Sequence, residues 1–388
     1  MPTWRDLPDL AVRTSGGSVI AANDEMFGEK ENLIKPGDPA FQPRTFGNRG
    51  QIVDGWETRR RRDHGHDWAV VRLGMPGIVH GIVVDTTWFT GNYPPECAID
   101  AAGVDPLGEA RAAQVDEPAW EEIVARSPVE GNTRATFDVE HPRLVTHVRL
   151  RQYPDGGIAR LRVHGQPVGD PRWVAGRSFD LAALEHGAAI ADCSDTFYSS
   201  PANLLIPGPA RVMGEGWETA RRRDQGHDWV VIDLATDGVV GRLEIDTTCF
   251  VGNAPGAAVV SALQPEPAQL MPRVRLQPDT ANRFLLDSDR DVAQLRLDIH
   301  PDGGLARFRA IGAPTPSGRA AMFLRWYDLL PTPWAVAALA GWGGASEQWA
   351  KGLAAGRPYG SAKALAAARV SGDGPDAAAW AALTGLPA

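Results

Sequence analysis

Two histidine-aspartate steps, His66-Asp67 and His227-Asp228, are the residues of this chain best suited to moving protons. Histidine titrates near neutrality and can both donate and accept. Glu57 and Glu218, each inside a Gly-Trp-Glu-Thr block, could act as bases or orient a cation. Arginines crowd the same regions: Arg59 to Arg62, Arg221 to Arg223, Arg151, Arg160 and Arg307. A guanidinium meets a carboxylate through two parallel bonds, so this set points to proton transfer on a small anionic substrate. Asp85, Thr86 and Asn92 follow the apolar run Ile82 to Val84, where a strand would hand over to a loop able to bind a ligand.

Each of these residues also has a plainer reading. Successive side chains on a strand alternate faces, so at most half of Arg59 to Arg62 reach one pocket. The rest would pair with Glu57, Asp63 and Asp67. His66 and Asp67 would point apart on a strand, and His66 serves equally as a turn residue before Trp68. Gly91-Asn92 also reads as turn chemistry, and Tyr153-Pro-Asp-Gly-Gly is chiefly a turn in which both glycines permit positive φ, with Asp155 and Arg160 left to face a pocket. Trp56, Trp68, Trp217 and Trp229 are expected in the core. His64 and His66 with Asp63 and Asp67 would also suit a divalent metal, although the second half keeps only His227 beside Asp224 and Asp228.

These residues are positioned by a duplicated unit. Gly55 to Trp68 returns as Gly216 to Trp229, an offset of 161 residues that also carries Asp85-Thr86-Thr87 onto Asp246-Thr247-Thr248 and Gly91-Asn92 onto Gly252-Asn253. Ile20 to Gly37 aligns with Ile190 to Gly208, and Tyr153 to Arg160 with His300 to Arg307. Segments such as 68–73, 78–84 and 145–151 are short, β-branched and bounded by Gly and Pro. The fold class is therefore all-β: two tandem antiparallel jelly-roll sandwiches, over 19–169 and 170–315, after an N-terminal arm of 1–18. From 319 to 388 the chain turns alanine- and tryptophan-rich, and 334–339, 346–355 and 362–369 predict short helices.

Composition narrows the partners. Hydrophobic residues at 43% and charged residues at 22% suit a globular chain. A net charge of −9 is the wrong sign for a nucleic-acid or anionic-membrane partner. Three cysteines without CxxC spacing, a start carrying charges and proline, and no apolar run of spanning length lead us to expect a cytoplasmic protein without a leader or a membrane span.

The blocks Asp54 to Arg62 (DGWETRRRR), Gly65 to Trp68 (GHDW), Asp85 to Pro95 (DTTWFTGNYPP) and Tyr153 to Arg160 (YPDGGIAR) resemble the allantoicase family, in order and twice over, across about residues 15 to 315. The resemblance implies galactose-binding-like sandwiches, hydrolysis of allantoate to ureidoglycolate and urea in purine breakdown, and a homo-oligomer. Such a reaction breaks a C–N bond at a carbon bearing a carboxylate and two ureido arms. It needs a cation for the carboxylate, groups to orient the arms, and an acid or base. His66, Asp67, Glu57, His227 and Asp228 are the catalytic candidates. Arg59, Arg61, Asp85, Thr86, Asn92, Arg151 and Arg160 are the binding candidates. No cofactor is required by these motifs, and a divalent metal is compatible with them.

Within the second half Ala220 replaces Arg59, Cys249 replaces Trp88, Val251 replaces Thr90 and Ala254 replaces Tyr93: if each half carries its own site the second is the weaker, and the alternative is that the halves share one site and have specialised. The tail segments 329–344 (LLPTPWAVAALAGWGG) and 357–368 (RPYGSAKALAAA) resemble the opening of the ureidoimidazoline decarboxylase family. The tail has no histidine from 319 onward, so it is expected to be a degenerate or docking remnant without decarboxylase activity. The rival reading is a noncatalytic tandem carbohydrate-binding protein, which would display aromatic platforms on its loops.

Overall fold

A computed structural model of the chain describes residues 4–48, 50–105, 120–368 and 370–387. They divide into two compact units, Met1–Val168 with Leu329–Ala340, and Gly169–Asp328 with Gly341–Ala388. Each contains one β-sandwich, and every strand pairing described is antiparallel.

One strand of nineteen residues organises each unit: Asp67–Asp85 in the first, Asp228–Asp246 in the second. The opening part of Asp67–Asp85 lies between Ser18–Ala22 and Val145–Tyr153, and its closing part between Arg134–Asp138 and Arg160–Pro167. A single strand thus serves both layers, and the changeover falls in Gly74-Met75-Pro76-Gly77, where proline supplies no ladder N–H. Asp228–Asp246 repeats the arrangement with Ala189–Cys193, Asp291–His300, Ala281–Leu285 and Arg307–Pro314. Val71, Leu73, Val79, Ile82 and Val84 turn inward, and their burial drives the layers together.

The alternation corrects one expectation about tryptophan. Trp56 and Trp217 are fully buried, each donating its indole N–H to a backbone carbonyl, Asp24 at 2.8 Å and Asp195 at 2.9 Å. Trp68 and Trp229 are only partly buried, because Asp67 and Asp228 take the inward positions beside them.

Helices come late in the chain. Pro316–Tyr327 begins earlier than composition suggested, since Thr315 caps it by accepting from Gly318 N, and it buries Phe323, Trp326 and Tyr327. Thr332–Leu339, Glu347–Ala355 and Ala362–Ala367 fall where helices were expected, with Arg369 outside the described residues. Ala377–Thr384, capped by Asp376, had no forecast. Among the described residues no helix is long and apolar enough to cross a membrane.

Candidate active site

The repeated motifs converge at one end of the first sandwich, and ring packing fixes them there. Phe89 is clamped by glycine on two sides: a Cβ built on Gly55 would stand 2.6 Å from its ring, and one on Gly157 would stand 2.0 Å away. Gly55 opens the Gly-Trp-Glu block and Gly157 closes Tyr-Pro-Asp-Gly-Gly. The second glycine of that turn is therefore needed for packing rather than for positive φ, which Gly156 alone adopts at +146°. Phe250, Gly216 and Gly304 reproduce the clamp in the second unit.

Asp85 ends the long strand and bends the chain as an Asx turn, accepting from Thr87 N at 2.8 Å while Arg134 Nε holds its other oxygen at 3.0 Å. Thr86 is buried and donates to Glu130 O and Thr133 O, so both residues serve the loop. Trp88 follows in the left-handed region, φ +72°, with its N–H received by Asn132 Oδ1 at 3.0 Å. That conformation turns the indole outward against Phe41, centroid to centroid 5.6 Å, and Trp88 Nε1 donates to Pro39 O at 2.9 Å.

Between these walls lies a cavity of about 270 Å³, lined by Phe27, Ala40, Phe41, Gly50, Gln51, Val53, Asp54, Glu57, Thr87, Trp88, Phe89 and Asn92. Asn92 Nδ2 donates to Glu57 Oε1 at 2.7 Å. Burial pushes the Glu57 carboxyl above its ordinary value, and the Asn92 bond opposes that rise. Asp54 is held in place by Arg160, which donates to its carboxylate at 2.6 Å and to its carbonyl at 2.8 Å. Burial acts against the charge on Asp54, but bonds from Arg160, Ala40 N and Lys35 outweigh it and hold that carboxyl below its usual range.

The remaining predicted residues lie outside the cavity lining. Asp67 is buried and receives Arg61 Nη1 at 2.6 Å and Asn23 Nδ2 at 2.8 Å, while Arg61 also pairs with Asp63. Asp228 is its twin, bound by Arg222 and Ser194. Both aspartates and Arg61 thus brace the turn. His66 points to the opposite face, its ring 4.9 Å from Tyr153. Burial first, then Arg151, Arg149 and Arg61, holds its pKa below the usual histidine value against the pull of Asp100. Arg151 belongs to that same face, bonded to Asp100, Glu122 and Tyr153 OH. His227 Nε2 lies 2.8 Å from Asp298 Oδ1, with the His300 ring at 4.4 Å. Arg59 is 73% exposed and pairs with Asp24 at 3.2 Å. Of the residues suggested for a metal, Asp63 and Asp67 share Arg61 while His66 faces Tyr153, and among the described residues no three of His, Cys, Asp or Glu converge to hold one.

The cavity wall escaped sequence reasoning. Residues 38–54 separate Gly37 from Gly55, whereas residues 209–215 alone separate Gly208 from Gly216. Residues 38–54, ten more than 209–215, include the small hairpin of Phe46–Gly47 and Gly50–Gln51 and supply half of the lining. The change of offset between the aligned blocks was the signal available.

A sequence profile described as "Allantoicase repeat" matches residues 8–168 and 179–315. A probable allantoicase of Nocardia farcinica is 54% identical over 315 residues, covering 80% of this chain and 95% of that protein. One from Streptomyces coelicolor is 43% identical over 343 residues, covering 84% and 91%. Among solved structures, the crystal structure of allantoicase from Saccharomyces cerevisiae superposes with a TM-score of 0.68 at 32% identity, covering 79% of this chain and 93% of that one.

Proposed function

This chain belongs to the allantoicase family and is a hydrolase that converts allantoate and water to ureidoglycolate and urea; from that premise we propose that the reaction runs in the first repeat, on Glu57. The observation that carries this reading is the closure of the Glu57–Asn92 pair by residues 38–54, a wall the second repeat lacks. Family membership also displaces the carbohydrate-binding alternative.

Because Asn92 occupies Glu57 Oε1, the other oxygen is the one that exchanges protons. A carboxyl whose pKa is raised by burial holds its proton at a higher pH than an exposed glutamate. The protonated acid passes that proton to the departing ureido nitrogen as the C–N bond breaks, and the lone pair of the remaining ureido nitrogen supports the carbon. The carboxylate then takes a proton from the water whose oxygen bonds to that carbon, which restores the acid. Arg59, exposed and held by Asp24 beyond Glu57, is the cation for the substrate carboxylate, and Thr87 and Gln51 supply hydrogen-bonding groups for the ureido arms. His66 and Arg151 stay outside this set. The same reading places the enzyme in the cytoplasm, a setting that its three unpaired cysteines suit, and as a homo-oligomer.

Urea release by purified protein, with allantoate compared against allantoin and with and without a chelator, tests the activity directly. Glu57→Gln should cut the allantoate rate by about 10²–10⁴-fold with folding intact. An undiminished rate in that variant would remove Glu57 from the chemistry. Loss of wild-type activity in chelator would bring a divalent metal into the reaction.

A further inference from the structure

We propose that the second repeat holds a separate binding site for neutral ureido groups, centred on Glu218 and Asn253; it rests on the reading of the first repeat as the catalytic one. The central pair is intact: Asn253 Nδ2 donates to Glu218 Oε1 at 2.8 Å, as Asn92 does to Glu57 at 2.7 Å. Its frame is intact as well. Thr248 N reaches Asp246 Oδ1 at 2.8 Å, and Cys249 adopts φ +74° with its N–H on Asp279 Oδ1, as Trp88 does on Asn132.

What has changed is charge and enclosure. Asp24 receives Arg59 N at 2.9 Å, and Asp195 receives Ala220 N at 3.1 Å in the same turn, but the guanidinium is gone. Cys249 stands where Trp88 forms a wall, and the seventeen residues 38–54 shrink to the seven of 209–215. The loops of the remaining pair carry two exposed apolar residues, Val251 at 68% and Phe197 at 71%, and the Arg211 of the short segment is already taken up by Glu215. The second polar contact of Asn253 Nδ2 is the Met213 thioether at 3.7 Å.

Ligand chemistry follows from these contacts. A carboxylate would meet Glu218 with no cation at the position of Arg59, and like charges repel. A ureido group carries no charge. Its N–H groups suit the Glu218 carboxylate, and its carbonyl oxygen is a far better acceptor than sulfur for the amide N–H now resting on Met213. The exposed Val251 and Phe197 fit such a neutral ligand, and the urea end of the reaction belongs to this class.

N-methylurea is the probe, read by saturation transfer from full-length protein to its methyl protons in a Glu57→Gln background. Binding should persist there and weaken at least tenfold when Glu218→Gln or Asn253→Ala is added, with thermal melts establishing that both variants fold. Ureidoacetate should fail to displace N-methylurea until Ala220→Arg restores a cation. Loss of the signal in Glu57→Gln alone, or its survival in both second-repeat variants, would overturn the proposal. Undiminished allantoate turnover in Glu57→Gln would sink the catalytic assignment instead, without touching the binding result at Glu218.

Discussion

Glu57 and Asn92 meet at 2.7 Å although thirty-five positions separate them in the chain, and the amide donates to the carboxylate through one edge only. A second pair, Glu218 and Asn253, is built at 2.8 Å by the same turn and the same ring clamp. The sandwich framework therefore produces the pair in each repeat, and what distinguishes the first is the wall of residues 38–54. On the proposed reading, what encloses the pair decides which repeat reacts.

On the proposed mechanism Asn92 should set the working pH. Burial raises the Glu57 pKa and the Asn92 bond alone is opposed to it, so removing that bond lets the value climb further. If Glu57 acts first as an acid, as proposed, kcat/KM falls as pH rises through its pKa. Asn92→Ala should therefore move the alkaline limb of the kcat/KM profile to higher pH. A limb that stays put, or moves down, would show that another group governs it.

Arg59 should separate binding from chemistry. A carboxylate clamp acts alike on substrate and transition state, so its loss appears mainly in KM. Arg59→Ala should raise KM for allantoate by about tenfold to a hundredfold, the worth of a charge-assisted bond, with a smaller change in kcat. Arg59→Lys keeps the charge without the fork and should fall between. Unchanged KM in both would send the role to Arg60 or Arg62, which are also exposed.

Much of this was legible in the sequence because duplication exposes it. The shared offset of Gly55 to Trp68 and Gly216 to Trp229 marks both units, and period-two alternation marks their strands. Glu57 and Asn92 stood out individually, but nothing local says that one will donate to the other, since that contact depends on two loops closing over Phe89. The parting of His66 and Asp67 was legible too: strand alternation sends one out to Tyr153 and the other in to Arg61. The helix Pro316–Tyr327 starts three residues before the expected helical tail because Thr315 caps it, a bond that composition does not display.

The ring clamp should dominate stability at this end of the fold. A methyl group on Gly157 would sit 2.0 Å from Phe89 Cε1, with backbone on the other side, so Phe89 would have to leave its place. Gly157→Ala should destabilise the first unit by about 3 kcal/mol. Gly91 lies in the neighbouring loop with no atom within 4 Å of a built Cβ, and Gly91→Ala should stay within about 0.5 kcal/mol of wild type. Denaturant melts that rank the two variants equally would remove the clamp from the account.

His147 should shape acid stability. It is buried, its Nδ1 lies 2.8 Å from Thr146 Oγ1, and burial together with the charge of Arg72 lowers its pKa to about 4. In the unfolded chain the same ring titrates near its ordinary value of about 6.5. Between those values the unfolded state binds the extra proton, so stability is fully present above the unfolded pKa and is lost as pH falls toward the folded one. The full shift corresponds to roughly 3 kcal/mol. His147→Gln cannot take up that proton, so its unfolding free energy should decline less steeply than wild type as pH falls from about 6.5 to about 4. Parallel declines in the two proteins would mean that His147 is solvated well enough to titrate in the fold, which its burial between the strands of the first unit argues against.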